Sequence, residues 1–239
     1  MRALALAAVI GVGFVMTGAA AARPYTDPAG RITFDAPANW PVTVEPAQGF
    51  SYIIAGDDDN ECRFIAKPNS NTAASTPYDV RRAAADDAQF TQETWLALAN
   101  SVRPVFPNNS AAFLSKSRDD TGFWPMQRAE LDSPGRHVQV HAGIQIRPGF
   151  DLTGLCINYT GEPPMHTFDA VLRSMGHPND ATFRAEAERQ MAERDERIAA
   201  NAATAEANAA AATAAEETAA PEEGGSAPLS RNLRDRRNN

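Results

Sequence analysis

The sequence predicts an α+β domain, an antiparallel β-sheet packed by helices, followed by an alanine-rich C-terminal extension. Three observations carry the prediction. Residues 136–159 alternate with a period of two across a Pro148-Gly149 turn, which reads as a pair of antiparallel strands. Further short strand-like runs, bounded by Gly, Pro, Asn and Asp, recur on its N-terminal side. Two segments, near 91–102 and 165–175, carry apolar stripes at helical spacing. In the first strand of the pair, Val138, Val140, Ala142, Ile144 and Ile146 point one way, and His137, Gln139, His141, Gln145 and Arg147 the other. That pattern predicts a half-buried strand with one wet face, and those five polar residues form the candidate contact surface.

In chain order, residues 1–22 read as a secretory signal peptide. Arg2 supplies the positive start, Leu4 to Met16 is uncharged and apolar, and Ala19 to Ala22 offer small residues for cleavage. The run is short for a bilayer span. No later apolar run is long enough to be one, so no transmembrane segment is expected after cleavage. Residues 23–30 form an extended, turn-rich start. Ile32 and Phe34 alternate with polar neighbours, and Trp40 to Glu45, Phe50 to Ala55 and Glu61 to Lys67 read as three more strands. Gly56-Asp57-Asp58-Asp59-Asn60 is a hairpin turn, because these residues tolerate turn dihedrals.

After the polar loop 68–76, Thr76, Pro77 and Asp79 predict a capped helix to about Ala85. A second helix starts at Thr91, with Phe90 and Trp95 spaced for a hydrophobic staple. Its stripe of Trp95, Leu98, Ala99 and Val102 should lie on the sheet, and Pro104 and Pro107 end it. Ala112 to Ser117 and Phe123 to Leu131 are strands about an Asp119-Asp120-Thr121-Gly122 turn, and Asp132 to Gly135 turns into the opening pair. Met165 to Met175 is a helix with Met165, Phe168, Val171, Leu172 and Met175 on one face, stopped by Gly176 and Pro178.

The globular domain thus spans about 24–178. Residues 180–220 read as a helical extension. Arg184/Glu188, Arg189/Glu193 and Glu193/Arg197 are spaced for pairing on a helix, and 14 of the 22 residues from 199 to 220 are alanine, which favours helix but buries little. Residues 221–239 read as a disordered tail; its four arginines, Arg231, Arg234, Arg236 and Arg237, suit a solvated end or contact with an anionic surface.

Cys62 and Cys156 are the only cysteines, each within a strand-like run. In an oxidising compartment a disulfide between them is the default. Two inert thiols or a catalytic cysteine are the alternatives.

The chemistry the sequence excludes is as informative. A net charge of -8 argues against a nucleic-acid role. Counted from Asp57 as a calcium loop, position six is Cys62 and position twelve Pro68, where Gly and Glu are needed. His137 and His141 have the spacing of helical zinc ligands, but four residues of strand separate them by roughly 13 Å, too far for one zinc with bonds of about 2 Å. No nucleophile elbow, P-loop or dinucleotide fingerprint is present. No cofactor, metal site or catalytic residue is therefore expected. Asn108-Asn109-Ser110 and Asn158-Tyr159-Thr160 match the glycosylation pattern.

Ile32-Thr33-Phe34-Asp35-Ala36-Pro37-Ala38-Asn39-Trp40, the early hairpins, the central helical segment, the strand meander and the closing Phe168 to Met175 helix together resemble a Mog1/PsbP-like domain over residues 30–177. The resemblance implies an α/β/α sandwich around an antiparallel sheet, and a binding or assembly role rather than catalysis. It carries no shared catalytic set. The reading that follows is a periplasmic or secreted non-enzymatic protein that binds an envelope protein partner, through the domain surface or the C-terminal arm. The alternatives are a small-ligand or metal-binding periplasmic protein, and a periplasmic enzyme with a nonlocal site.

Overall fold

Alternating apolar positions along the chain build a seven-stranded antiparallel sheet in this computed structural model, which describes residues 22–218 except 48–49, 74, 87–88, 103–105 and 107–109. The expected signal peptide, Ala22 apart, and the expected disordered tail lie outside the described residues. So do Pro104 and Pro107.

The chain opens with a hairpin of β1 (Arg23–Thr26) and β2 (Thr33–Ala36), a small sheet of its own. Its turn is closed by Asp27, whose carboxylate accepts from Arg31 Nε at 2.6 Å, and by Gly30 at φ 66°. Three strands follow as a meander, β3 (Val42–Ala47), β4 (Phe50–Gly56) and β5 (Asn60–Pro68). The chain then leaves the sheet through a 3-10 turn at Ser70–Thr72, helix α1 (Tyr78–Ala84) and helix α2 (Gln92–Ser101). It re-enters at the far edge and meanders back as β6 (Ala112–Asp119), β7 (Met126–Ser133), β8 (Val138–Arg147) and β9 (Phe150–Asn158). The strand order is β3-β4-β5-β9-β8-β7-β6, so the two meanders meet at β5 and β9.

That seam carries the disulfide. Cys62 and Cys156 are register partners on β5 and β9 and are bonded, with Cα atoms 4.0 Å apart.

Helix α3 (Met165–Arg173) and the β1–β2 hairpin cover one face of the sheet, where Phe168, Leu172, Phe34, Phe64 and Trp40 share a core. Helix α2 covers the other, where Trp95, Ala99 and Val102 pack with Val140, Ile144 and Leu155. The α/β/α architecture is as expected. The staple at the start of α2 is formed, with the Phe90 and Trp95 rings 5.9 Å apart and Thr91 Oγ1 accepting from Thr94 N. The expected cap at Thr76 is not. Its hydroxyl donates to Asn71 O, and α1 starts after Pro77 with no side-chain cap.

Register explains how α3 sits so close. Gly143 and Gly154 are partners on β8 and β9. A Cβ at Gly154 would stand 2.6 Å from Leu172 Cδ2, and one at Gly143 2.8 Å from Met126 Sδ. The two glycines thus leave a depression that Leu172 fills. Two backbone bonds between Thr33 and Gly176, each 2.8 Å, then tie the end of α3 to β2.

Helix α4 (Asp180–Thr218) is continuous, but its residues fall in two compact units. The first unit extends to Gln190, so Ala187 is part of its buried interior. The second begins at Met191, and its described residues are helical to Thr218 and almost wholly exposed. Among the described residues no helix is long and apolar enough to cross a membrane.

Candidate functional site

Three segments converge at the end of the sheet where β8 turns into β9. The first is that turn itself. Pro148 presets one corner and Gly149 takes the other at φ 82°, the left-handed position a type II turn requires. Gly149 N donates to Thr72 O at 2.7 Å and Gly149 O accepts from Asn69 N at 2.8 Å, so the turn is fixed to the 3-10 turn. This places Arg147, the last residue of β8. The second segment is the β6–β7 loop. Asp119 Oδ1 accepts from the amide and hydroxyl of Thr121, which folds the Asp119-Asp120-Thr121-Gly122 turn and presents Phe123 and Trp124. Burial pushes the Asp119 carboxyl up, but the bonds from Thr121 and Arg173 outweigh it and hold it at about 2. The third is α1, which brings Arg81 and Arg82.

Together they line a cavity of about 310 Å³ with four arginines, Arg81, Arg82, Arg118 and Arg147, against one aspartate, Asp120. Arg118 Nε donates to Asp120 at 2.7 Å. Arg81 donates from Nη1 to Thr76 O at 2.5 Å and from Nη2 to Gln190 Oε1 at 3.3 Å. Arg82 is exposed. Phe123 and Trp124 meet edge to face at 4.9 Å. Arg147 lies over the Trp124 ring at 4.8 Å and Arg184 over Phe123 at 4.9 Å, favourable cation–π geometry.

Arg147 is the distinctive member. It is 2% exposed. Its Nε donates to Asp180 Oδ1 at 2.7 Å, and its Nη2 donates to Gln145 Oε1 at 2.9 Å and Asp180 Oδ2 at 3.2 Å. Among the described residues its buried Nη1 has no hydrogen-bond partner. Burial pushes its pKa below the ordinary guanidinium value, with Asp180 opposing. Leaving a charged donor buried and unbonded is costly, so an acceptor that reached Nη1 would be favoured.

A second cavity, about 460 Å³, is lined by Trp40, Asp35, Asp57 and His166. Its Asp57 is already committed. Oδ2 accepts from Trp40 Nε1 at 2.9 Å, and Oδ1 from Asn60 N at 2.8 Å and Asp59 N at 3.1 Å. No group of three or more potential metal ligands occurs among the described residues.

The predicted wet face of β8 needs correction. His137 lies outside the strand, in the preceding turn, exposed and at φ 55°. Gln139 is half-buried and reaches Gly161 O at 3.5 Å. His141, Gln145 and Arg147 are buried, because α3 and the loops around it cover this face. His141 packs 5.8 Å from the Phe168 ring; burial pushes its pKa down, and Glu130, 3.9 Å away, opposes this. Only Arg147 of the five lines a cavity described above. The glycosylation match at Asn158 falls on a side chain that is 1% exposed and donates to Asn60 Oδ1 at 2.9 Å; the match at Asn108 lies outside the described residues. The cavity residues Arg81, Arg82, Arg118, Phe123 and Trp124 were not singled out from sequence. The available signal was an Arg-Arg pair and a Phe-Trp pair in an acidic chain.

No family model and no curated protein matches this sequence. Among solved structures, the chain is similar to the solution structure of cyanobacterial PsbP (CyanoP) from Synechocystis sp. PCC 6803, with 16% identity and a TM-score of 0.44 over 72% of this chain and 98% of that one. It is also similar to a crystal structure from Bacteroides thetaiotaomicron VPI-5482, with 11% identity and a TM-score of 0.37 over 64% of this chain. The chain spans about half of that second protein, 47%. The first of these is a PsbP structure, the family that the sequence resembles.

Proposed function

We propose that the chain is an exported, non-enzymatic binding protein that holds an anionic group of an envelope protein partner in the Arg147 cavity. The carrying observation is Arg147 Nη1, buried without a hydrogen-bond partner among the described residues, in a cavity lined by four arginines and one aspartate, with Asp180 paired to Arg147 behind it, on a chain of net charge -8. A local excess of positive charge on an acidic protein attracts an anion. Export is supported by the N-terminal sequence and by a disulfide of the kind that persists in oxidising compartments. An open pocket holding His137 or His141 beside a carboxylate would favour catalysis; neither histidine lines either cavity described above.

The test is recovery of partners on the full-length oxidised protein from its own host. Replacing Arg82 and Arg118 by Glu, both exposed, reverses the charge at the rim without touching the core. Lost recovery with an unchanged melting curve is the expected result. Undiminished recovery overturns the reading. Intact-mass analysis of the exported protein tests cleavage near Ala22; an unprocessed chain overturns export.

A further inference from the structure

The cavity's chemistry says more than that its occupant is an anion. We propose that it takes an aromatic or similarly apolar carboxylate, as a small molecule or as the C-terminal residue of a polypeptide. This rests on the binding reading above.

Size comes first. At about 310 Å³ the cavity lies at the small end of the ~300–1,000 Å³ range of ligand pockets. That suits one amino-acid residue or a small organic molecule. An inorganic anion would leave most of the space to water, next to Phe123, Trp124, Ile146 and Pro148. These apolar residues outnumber the charged ones the anion would use at the buried end, so an apolar body is needed to displace that water.

Charge and donor count come next. The charges nearest the apolar wall are largely compensated: Arg118 by Asp120 and Arg147 by Asp180. Arg81 donates to Thr76 O and Gln190 Oε1, and the exposed Arg82 stands at the rim. Arg147 Nη1 is buried without a hydrogen-bond partner among the described residues, while Nε and Nη2 are taken by Asp180 and Gln145. That amino group suits one carboxylate oxygen, with the second oxygen directed toward the other arginines of the lining. A phosphate dianion would pay a larger desolvation cost than a carboxylate on entering beside the apolar wall. The Arg147–Trp124–Phe123–Arg184 stack fixes both the guanidinium and the ring wall before a ligand arrives. A preorganised site of this kind loses little entropy on binding.

Calorimetric titration of the oxidised mature chain tests this with six probes: N-acetyl-phenylalanine and its amide, a short uncharged peptide ending in Phe with a free or an amidated C-terminus, inorganic phosphate, and an amidated glutamate-rich peptide. The expected result is binding of N-acetyl-phenylalanine, at least ~10-fold weaker binding of its amide, since a charge-assisted hydrogen bond is lost, and a shift of the Trp124 indole resonance on binding. Arg82→Gln should weaken the acid severalfold and leave the amide unchanged. This variant alters an exposed side chain, so folding is not in question. Arg147→Gln, checked by melting, should abolish the preference for acid over amide. Binding of the free-ended peptide as well identifies a polypeptide C-terminus as the source; binding of N-acetyl-phenylalanine alone identifies a small molecule and overturns the protein partner. Equal affinity for acid and amide, or phosphate binding as tightly as N-acetyl-phenylalanine, overturns this inference. Binding of the glutamate-rich peptide alone also overturns it while leaving the anion-binding function standing. Failure of every probe overturns both.

Discussion

Breaking the Cys62–Cys156 bond should destabilise the domain by ~4–5 kcal/mol without changing its folded structure. The two cysteines are 94 residues apart in sequence, and a cross-link closing a loop of about that length removes ~4.7 kcal/mol of chain entropy from the unfolded state. In the folded state the bond spans partners on β5 and β9, strands held together over nine registered pairs. The sheet therefore does not need the bond to form; the unfolded chain is what it restricts. Urea unfolding of the oxidised and reduced protein separates this effect from packing, because both forms keep both sulfurs. The near-ultraviolet circular dichroism of the folded state should match between them. The reduced form should unfold at lower urea, and its steeper transition should report a more expanded unfolded chain. A stability difference below ~1 kcal/mol would refute the entropic reasoning. So would exchange protection lost selectively along β5 and β9 under native conditions, since that would make the bond a local clamp on the seam.

Other consequences follow from particular contacts. Gly154→Ala puts a methyl 2.6 Å from Leu172 Cδ2 and 3.3 Å from the Phe64 ring, all in a buried core. Overpacking of ~1–3 kcal/mol, less the ~0.5–1 kcal/mol that alanine gains over glycine in a strand, should leave net destabilisation of up to ~2.5 kcal/mol in chemical unfolding; a stabilised variant would contradict the close packing of α3. Asp119 binds its proton less readily folded than unfolded, so its contribution is fully present above about pH 5 and is lost as pH falls through 4 toward 2. Because Arg173 is exposed, solvent limits that contribution to ~1 kcal/mol; Asp119→Asn should flatten the acid limb of the stability–pH curve by that amount, and an unchanged limb would remove Asp119 from the account. Truncation after Gln190 should leave the melting temperature of the first unit unchanged, whereas truncation after Asn179 removes Asp180 and the buried Ala187 and should cost more than ~2 kcal/mol, since it leaves Arg147 buried without its carboxylate. Equal melting of the two truncations would contradict the role given to the start of α4.

The order of strands and helices was legible because each carries its own periodicity and is closed by its own turn residues. Phe90 and Trp95 announced the staple of α2, and Phe168, Val171, Leu172 and Met175 announced the buried face of α3, through spacings within one turn or two of helix. The cap at Thr76 was misread for a reason of the same scale. Thr76 has a competing acceptor, Asn71 O, supplied by the loop before it, and a hydroxyl can donate to a nearby carbonyl as readily as it caps a helix.

The polar face of β8 failed differently, and its failure is what leads to the candidate site. Alternation along a strand says which residues share a face; it does not say whether that face meets water. Here Gly143 and Gly154 admit α3 onto the face that carries His141, Gln145 and Arg147. Each polar residue is then accommodated in its own way: His141 against Phe168, Gln145 as an acceptor for Arg147, and Arg147 with Asp180 and the Trp124 ring. One donor is left over, at the end of the strand where α1 and the β6–β7 loop bring further arginines and the ring wall. Those residues lie at 81–82, 118, 123–124 and 147, so no window of local sequence contains them. A fold can be read from patterns that repeat within ten residues. A site assembled from three separate segments becomes visible only once the sheet has brought their ends together, and Nη1 of Arg147 is the atom at which its chemistry can be tested.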